Sequence, residues 1–389
     1  MTAINYREEA SSLRGQLVSW RRDFHRHPEL ALNEHRSAGI IAEELGALGY
    51  GVETGVAETG VVGLLEGDKP GPVVMARFDM DALPIDEANQ TDYVSENPGV
   101  MHGCGHDGHM AIGLGVATVL ARHRERLAGS VKLVFQPGEE GGAKRMVEEG
   151  VLDNPRPDVA LTTHLWNEQP LGTVSATAGP IMAAAERWTC KIQGRGGHGA
   201  LPHQAVDPIL TASRIVNSLQ SVVSRNVSPL DAAVVTVGSF HGGGAFNVIP
   251  DSVELTGTIR TFDLDVRDKV LARVREIVEG VAAAHNSSAD LHIARLTPAV
   301  VNDPQVVEIV REAAKAIVGE EKVLSGEQTM GSEDAAYFME QVPGCYFFVG
   351  SANAERGLDA SHHNPRFDFD EDALPIGVAV MTASILHYV

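Results

Sequence analysis

Val73-Val74-Met75-Ala76-Arg77-Phe78 runs directly into Asp79-Met80-Asp81. A short, mostly apolar run bounded by turn residues reads as a buried strand. The pattern returns twice more. Val131-Lys132-Leu133-Val134-Phe135 leads into Gln136-Pro137-Gly138-Glu139-Glu140-Gly141, and Val159-Ala160-Leu161-Thr162-Thr163 leads into His164. Helical patterns lie between these runs, at 107–122 and 143–149. Strand–helix alternation predicts an α/β fold built on a mostly parallel sheet, covered by helices on both faces. Ligands of such sheets bind beyond the carboxyl ends of the strands. Asp79, Asp81, Glu139, Glu140 and His164 are therefore expected on one rim.

A second stretch carries chemistry of its own. Met101-His102-Gly103-Cys104-Gly105-His106-Asp107-Gly108-His109 holds one thiol and three imidazoles, separated by glycines. Thiolate and imidazole suit borderline metals such as zinc. The glycines let the backbone turn sharply, so Cys104 and His106 can face one point. The chain has three cysteines and 16 histidines in 389 residues, so such clustering favours a metal site over a loop with chance histidines.

Outward from this centre, residues 6–26 read as an amphipathic helix with Leu13, Leu17, Trp20 and Phe24 on one stripe, ended by Pro28. A second helix is expected at about 34–48, stopped by Gly49. His25 and His27 read as structural. Near residue 183 the pattern changes. A strand at 187–192, a helix at 208–225, strands at 232–239 and 253–262, a helix at 265–284 and a strand at 290–296 give the order β-α-β-β-α-β. That order is the ferredoxin-like arrangement. The predicted organisation is a catalytic domain of residues 1–182 and 297–389 with an inserted α+β domain at 183–296. Beyond it a helix at 304–318, a strand at 345–349 and a closing helix at 371–387 resume the alternation. The loop Ser361-His362-His363-Asn364-Pro365 adds a histidine pair.

The bulk composition excludes several function classes. The net charge is −21, with 43% hydrophobic and 21% charged residues. Nucleic acid and anionic membranes need clustered Lys and Arg, so neither is an expected partner. No apolar run is long enough to cross a bilayer. Three scattered cysteines make no disulfide framework, and no secretory pattern is read at the N-terminus, so a cytoplasmic location is expected. Gly194-Arg195-Gly196-Gly197-His198-Gly199 satisfies the dinucleotide pattern, but Leu201-Pro202-His203 interrupts the helix it requires, so NAD binding is rejected. No G-x-S-x-G elbow occurs, which leaves a serine hydrolase unsupported.

A hydrolytic metal site needs ligands, an open position and a base. The metal lowers the pKa of its water from ~15.7 to roughly 7 and polarises the carbonyl under attack. If the chain is extended at Glu139-Glu140, the two side chains point oppositely, so one can bind metal while the other acts as general base.

Taken together, Met101–His109, Gln136–Gly141, Gly196-Gly197-His198-Gly199-Ala200, Phe246–Asp251, Gly331–Asp334 and His363-Asn364-Pro365 resemble the peptidase M20 family. They are most similar to its amidohydrolase subgroup of hippurate hydrolases, N-acyl-amino-acid aminoacylases and auxin-conjugate hydrolases. The resemblance spans nearly the whole chain. It implies two divalent metal ions per subunit held by Cys104, His106, Glu140, His164 and His363, with Cys104 bridging. His363 rather than His362 is the implied ligand, because it directly precedes Asn-Pro. Glu139 is implied as general base and Asp81 as the aspartate supporting a ligand. Asp79 falls where other branches carry a metal-binding histidine. The inserted domain resembles the family's lid and dimerisation domain, which implies a homodimer or tetramer. His198 would then stabilise the oxyanion of its own or the partner's site, and Asn247 and Arg260 would hold a substrate carboxylate. Ala335 stands where many relatives carry an aromatic residue, which suggests a wider acyl pocket. Zinc is favoured by Cys and His, with manganese, nickel or cobalt allowed by the carboxylates. The expected activity is hydrolysis of small-molecule N-acyl amino acids. The rival expectations are a metallo-dipeptidase or carboxypeptidase, and a catalytically inactive scaffold.

Overall fold

The run around Val73 forms the end of an 11-residue strand, β3 (Lys69–Asp79), which is fully buried over its last six residues. In the computed structural model, which describes residues 4–139 and 141–389, β3 lies near the middle of an eight-stranded sheet. The other long strands of this sheet are β1 (Gly51–Val56), β2 (Gly60–Glu66), β4 (Ala128–Gln136), β5 (Val159–Pro170) and β12 (Gly344–Ala352). Their order is β1-β2-β4-β3-β5-β12, followed by short strands at Val174–Ser175 and Val323–Leu324. The centre is parallel, β4-β3-β5-β12, and aligns Asp79 with Gln136. The β1–β2 hairpin, which the sequence reading did not find, adds an antiparallel edge.

Helices α1 (Tyr6–Ser12), α2 (Arg14–Arg26), α3 (His35–Ala47), α4 (His106–Arg122), α5 (Gly142–Glu148), α8 (Pro304–Val318) and α9 (Ala373–Ile385) flank the sheet. The expected single helix at 6–26 is two helices, interrupted at Leu13. Every residue of α4 from His106 to Ala117 is buried, and from Met110 to Ala117 the helix is apolar all round. Gly108 explains how its first turn approaches the sheet. A Cβ there would fall 2.4 Å from Leu165 Cδ1 and 2.7 Å from Phe369 Cζ.

By compactness the chain divides into two units, Met1–Ile181 with Val300–Glu327 and Asp334–Val389, and Met182–Ala299 with Gln328–Glu333. The second unit has strands β6 (Ala184–Gln193), β8 (Ala233–His241), β10 (Ser252–Thr261) and β11 (Ser288–Thr297), with helices α6 (Pro208–Asn226) and α7 (Leu264–Ala284). The sheet order β8-β10-β6-β11 is antiparallel throughout. Asp207 and Asp263 cap the two helices by accepting from backbone N–H groups of the first turn. Trp188, Leu219, Val253 and Val274 are among its buried core. A two-stranded ribbon, β7 (Gly197–His198) with β9 (Val248–Ile249), occupies the glycine-rich stretch in place of a dinucleotide-binding helix.

The first unit also buries a charge cluster. The Arg21 guanidinium is fully buried and meets Asp107 at 2.8 Å, Asp368 at 2.6 Å and Glu371 at 3.3 Å. It thereby ties α2 to the start of α4 and to the segment before α9. Removing the cation alone leaves buried Asp368 with the Tyr93 hydroxyl in place of an ion pair. It also takes one charged partner each from Asp107, which keeps His25, and Glu371, which keeps Arg22. Arg21→Met is therefore expected to cost about 3–5 kcal/mol, read as a lower midpoint in urea denaturation.

Candidate metal centre

The rim of the parallel sheet gathers the side chains singled out above. Gly105, at φ +91°, caps α4 in a left-handed conformation that favours glycine, and the turn delivers Cys104 and His106 together. His164 comes from β5. It is not a strand-end residue as expected, because β5 continues to Pro170. Pairing of β5 with β3 nevertheless stops at Thr162, so His164 emerges level with Asp79, just past the last paired residue. Donor atoms of Cys104, His106 and His164 all lie within 4.8 Å of one another, with Cys104 Sγ 3.6 Å from His164 Nε2.

Both imidazoles have their other nitrogen anchored. His106 Nδ1 is 2.9 Å from the Asp81 carbonyl oxygen and 3.2 Å from Asp81 Oδ1. Its Nε2 is buried and has no hydrogen-bond partner among the described residues. His164 Nδ1 lies 2.5 Å from the Leu165 carbonyl oxygen, so it donates, and its Nε2 lone pair is directed to the sulfur's side. Anchoring one ring nitrogen through a carbonyl or carboxylate is how ligand histidines are oriented. Burial opposes ionisation of the Cys104 thiol, but the neighbouring charge of His106, together with His363, outweighs it and holds the thiol below its ordinary value. Burial and the neighbouring His109 and His362 push His164 well below the usual histidine range, keeping it neutral. Burial opposes charge on His106, but Asp79 and Cys104 outweigh it and hold its pKa well above the histidine range, so an ion at its orphaned Nε2 would replace a proton. A thiol eased toward ionisation, the neutral His164 and that Nε2 together fit a divalent ion.

The histidine pair is divided by geometry. His363 sits at φ +63°, donates its backbone N–H to the Gly103 carbonyl at 2.8 Å, and presents its ring to Cys104. His362 instead stacks against Trp166 at 4.8 Å and places Nε2 3.0 Å from the Leu165 carbonyl.

Asp79 finds partners of a different kind. It is fully buried, with Oδ1 2.5 Å from His109 Nδ1 and Oδ2 2.8 Å from Arg77. Burial opposes its charge, but His106, His109 and Arg77 hold it well below the carboxylate range. His109 accepts the Leu165 N–H on Nε2, so both its nitrogens are committed. Arg77 also meets Gln136 at 2.8 Å and Asp334 at 3.4 Å, and Asp334 takes Gln136 Nε2 and the Ala143 N–H. The sequence reading assigned no role to Arg77, His109, Gln136 or Asp334. Their signal lay in polar residues interrupting apolar runs, as Arg77 does.

Two expectations change here. Glu139 lies in a turn after β4 rather than in an extended stretch, because Gly138 adopts φ +52° and accepts from Gly141 and Gly142. The argument that Glu139 and Glu140 alternate therefore has no extended strand to rest on. The Glu139 N–H donates to Asp81 Oδ1 at 3.0 Å, so Asp81 holds both His106 and the Glu139 turn. Glu140 lies outside the described residues. The second change is at Ala335, which widens no acyl pocket: it is buried in the core, beside a void of about 10 Å³ shared with Met75 and Phe338.

The remaining candidates belong to the second unit. His198 and Asn247 are neighbours on the β7–β9 ribbon, where Gly199 N–H donates to the Asn247 carbonyl. Both side chains are exposed. His198 Nδ1 accepts from the Ala200 N–H at 3.0 Å, which leaves the ring proton on Nε2. Arg260 stands apart from the ribbon, on β10 between Ala185 and Val234, with its guanidinium on Thr258 Oγ1 at 2.5 Å.

Comparison with known proteins gives concordant matches. The family model for peptidase family M20/M25/M40 matches residues 75–387. The IAA-amino acid hydrolase ILR1-like 4 of Arabidopsis thaliana is 40% identical over 96% of this chain and 85% of its own. The N-acetyl-L-cysteine deacetylase of Bacillus subtilis (strain 168) is 39% identical over 94% of this chain and 86% of its own. The crystal structure of the Bacillus subtilis YXEP protein, a dinuclear metal binding peptidase of the M20 family, superposes with a TM-score of 0.85. It is 32% identical and covers 97% of this chain and all of that one.

Asp81 generates a direct test of the centre. Asp81→Ala removes the carboxylate that holds His106 and the Glu139 turn. Divalent metal affinity is expected to fall about 10–100-fold, measured by calorimetric titration of the metal-stripped protein.

Proposed function

From its membership of peptidase family M20/M25/M40, to which this chain belongs, we propose that it hydrolyses the amide bond of N-acyl amino acids, releasing a carboxylic acid and a free amino acid. The chain is a metal-dependent amidohydrolase. The observation that carries the finer reading is the meeting of Cys104, His106 and His164 next to a glutamate turn held by Asp81. Relatives named for IAA-amino acid and N-acetyl-cysteine hydrolysis support the substrate class.

The proposed ligands for two divalent ions are Cys104, His106, Glu140, His164 and His363. Sulfur and imidazole donors favour zinc, with manganese, nickel or cobalt as the other candidates. Ions bound there supply Lewis acidity that polarises the amide carbonyl and eases deprotonation of water. Glu139 takes the proton from the attacking water and passes it to the departing amine. Asp81 fixes the direction of the His106 ring and the position of the Glu139 backbone. His198 is the proposed donor to the oxyanion; the proton on its Nε2 supports that role. Asn247 and Arg260 are proposed for the substrate carboxylate.

Residues 183–296 are proposed as lid and dimerisation domain of a homodimer or tetramer. The edge position of β8 and the exposed Phe240, Phe246 and Val248 support this. Cys104, Cys190 and Cys345 are free thiols, which supports a reducing, cytoplasmic setting. No helix among the described residues is long and apolar enough to cross a membrane.

Glu139→Gln tests the central assignment. The variant is expected to bind metal like the parent and to lose about 10²–10⁴-fold in kcat on N-acetyl amino acids. Full turnover would remove Glu139 from its role. A free dipeptide outrunning its N-acyl counterpart would favour the peptidase reading.

A further inference from the structure

Beside the Glu139 turn the first unit carries a groove of about 520 Å³, lined in part by Asp81 and Gly138. Leu30 and Leu32 form one wall, Leu83 and Pro84 the second, and the backbone of Gly138 and Gly141 the third. Its size is that of a small-molecule site. The walls are fastened to one another. The buried Glu34 carboxylate accepts from the Gly138 N–H at 2.9 Å and from Thr59 Oγ1 at 2.5 Å. The Ala82 N–H donates to the Glu29 carbonyl at 2.8 Å, bringing the segment after β3 to the Leu30 turn.

Two features mark this groove as more than uncovered surface. Leu32 sits at φ +62° as third residue of a turn closed by Asn33 N–H on the Leu30 carbonyl. That position favours glycine or asparagine, and a side chain there is held in a strained backbone. The chain nonetheless keeps a leucine, and its side chain lines the groove. The second feature is charge. No Lys or Arg is among the described lining residues, and the one carboxyl group among them is that of Asp81. The carboxylate-bearing half of an N-acyl amino acid is repelled there, whereas a neutral hydrocarbon half is not.

We propose that this groove is the acyl subsite, taking aliphatic or aromatic acyl groups longer than acetyl. The inference rests on the amidohydrolase reading above and adds to it which part of the molecule the Leu30–Leu32 turn selects. With the acyl chain in the groove, the amide carbon lies toward the Glu139 turn and the anionic amino-acid half points away from Asp81.

The test uses the metal-loaded full-length enzyme and one amino acid, the fastest as its N-acetyl derivative. The quantity read is the ratio of kcat/KM for the N-hexanoyl over the N-acetyl substrate. Leu32→Gly removes an apolar wall while relieving the left-handed strain, so its thermal midpoint is expected at or above that of the parent. Gly141→Val adds a side chain where a Cβ meets nothing within 4 Å and where φ, −178°, lies outside the left-handed region. Both variants are expected to lower the ratio about tenfold, the scale of a lost or obstructed contact in an apolar pocket. A general loss of folding or metal would lower both substrates together and leave the ratio unchanged. Ratios that stay at the parent value in both variants overturn the subsite. Absence of hydrolysis of every N-acyl amino acid by the parent enzyme, while free dipeptides are cleaved, overturns the amidohydrolase reading and the subsite with it.

Discussion

The site is built around a buried cation that must be neutralised. Arg77 is 1% exposed at the end of β3. A charge removed from water and left unpaired costs several kcal/mol, so partners have to converge on it. Asp79 comes from its own strand, Gln136 from the end of β4, and Asp334 from far along the chain. Asp334 in turn accepts the Ala143 N–H at the start of α5, on the far side of the Glu139 turn. One guanidinium thus holds together two strand ends, a helix start and a loop. Asp79 extends the cluster to His109, and His109 to the Leu165 backbone beside His164.

Against this rigid frame the candidate ligands are held by their backs. His106 and His164 each commit Nδ1 to a backbone carbonyl, which orients the ring and turns Nε2 toward the site. His109 commits both nitrogens and is spent on structure. Three imidazoles within one stretch of α4 and β5 therefore have different chemistry, and the difference lies in their partners. His102, a fourth, is fully buried without a hydrogen-bond partner among the described residues, and burial pushes it down to about 4.

Much of the architecture was legible along the chain. Apolar runs ending in carboxylates announced the parallel strands, and glycines around Cys104 announced a turn able to bring thiol and imidazole together. The β-α-β-β-α-β order of the second unit followed from alternation alone. The β1–β2 hairpin was missed, since its Gly51-Val52-Glu53-Thr54-Gly55 half is too polar to stand out from a loop. The Glu139 turn was misjudged as extended because a left-handed glycine at 138 leaves no periodic trace.

What the sequence determined by itself was local: which runs are apolar at the period of a strand or a helix, and which donor types cluster within a few residues. Period and donor chemistry are properties of neighbours in the chain. Tertiary structure alone decided which histidine nitrogens are anchored, that Asp79 answers Arg77 and His109, that His362 packs on Trp166 and the Leu165 carbonyl, and that Ala335 fills the core. Most of these depend on groups tens to hundreds of residues apart meeting within a few ångströms, where burial makes every unpaired charge and donor costly; the sequence-local pairs, Arg77 with Asp79 and His164 with the Leu165 carbonyl, lie in the same buried surroundings.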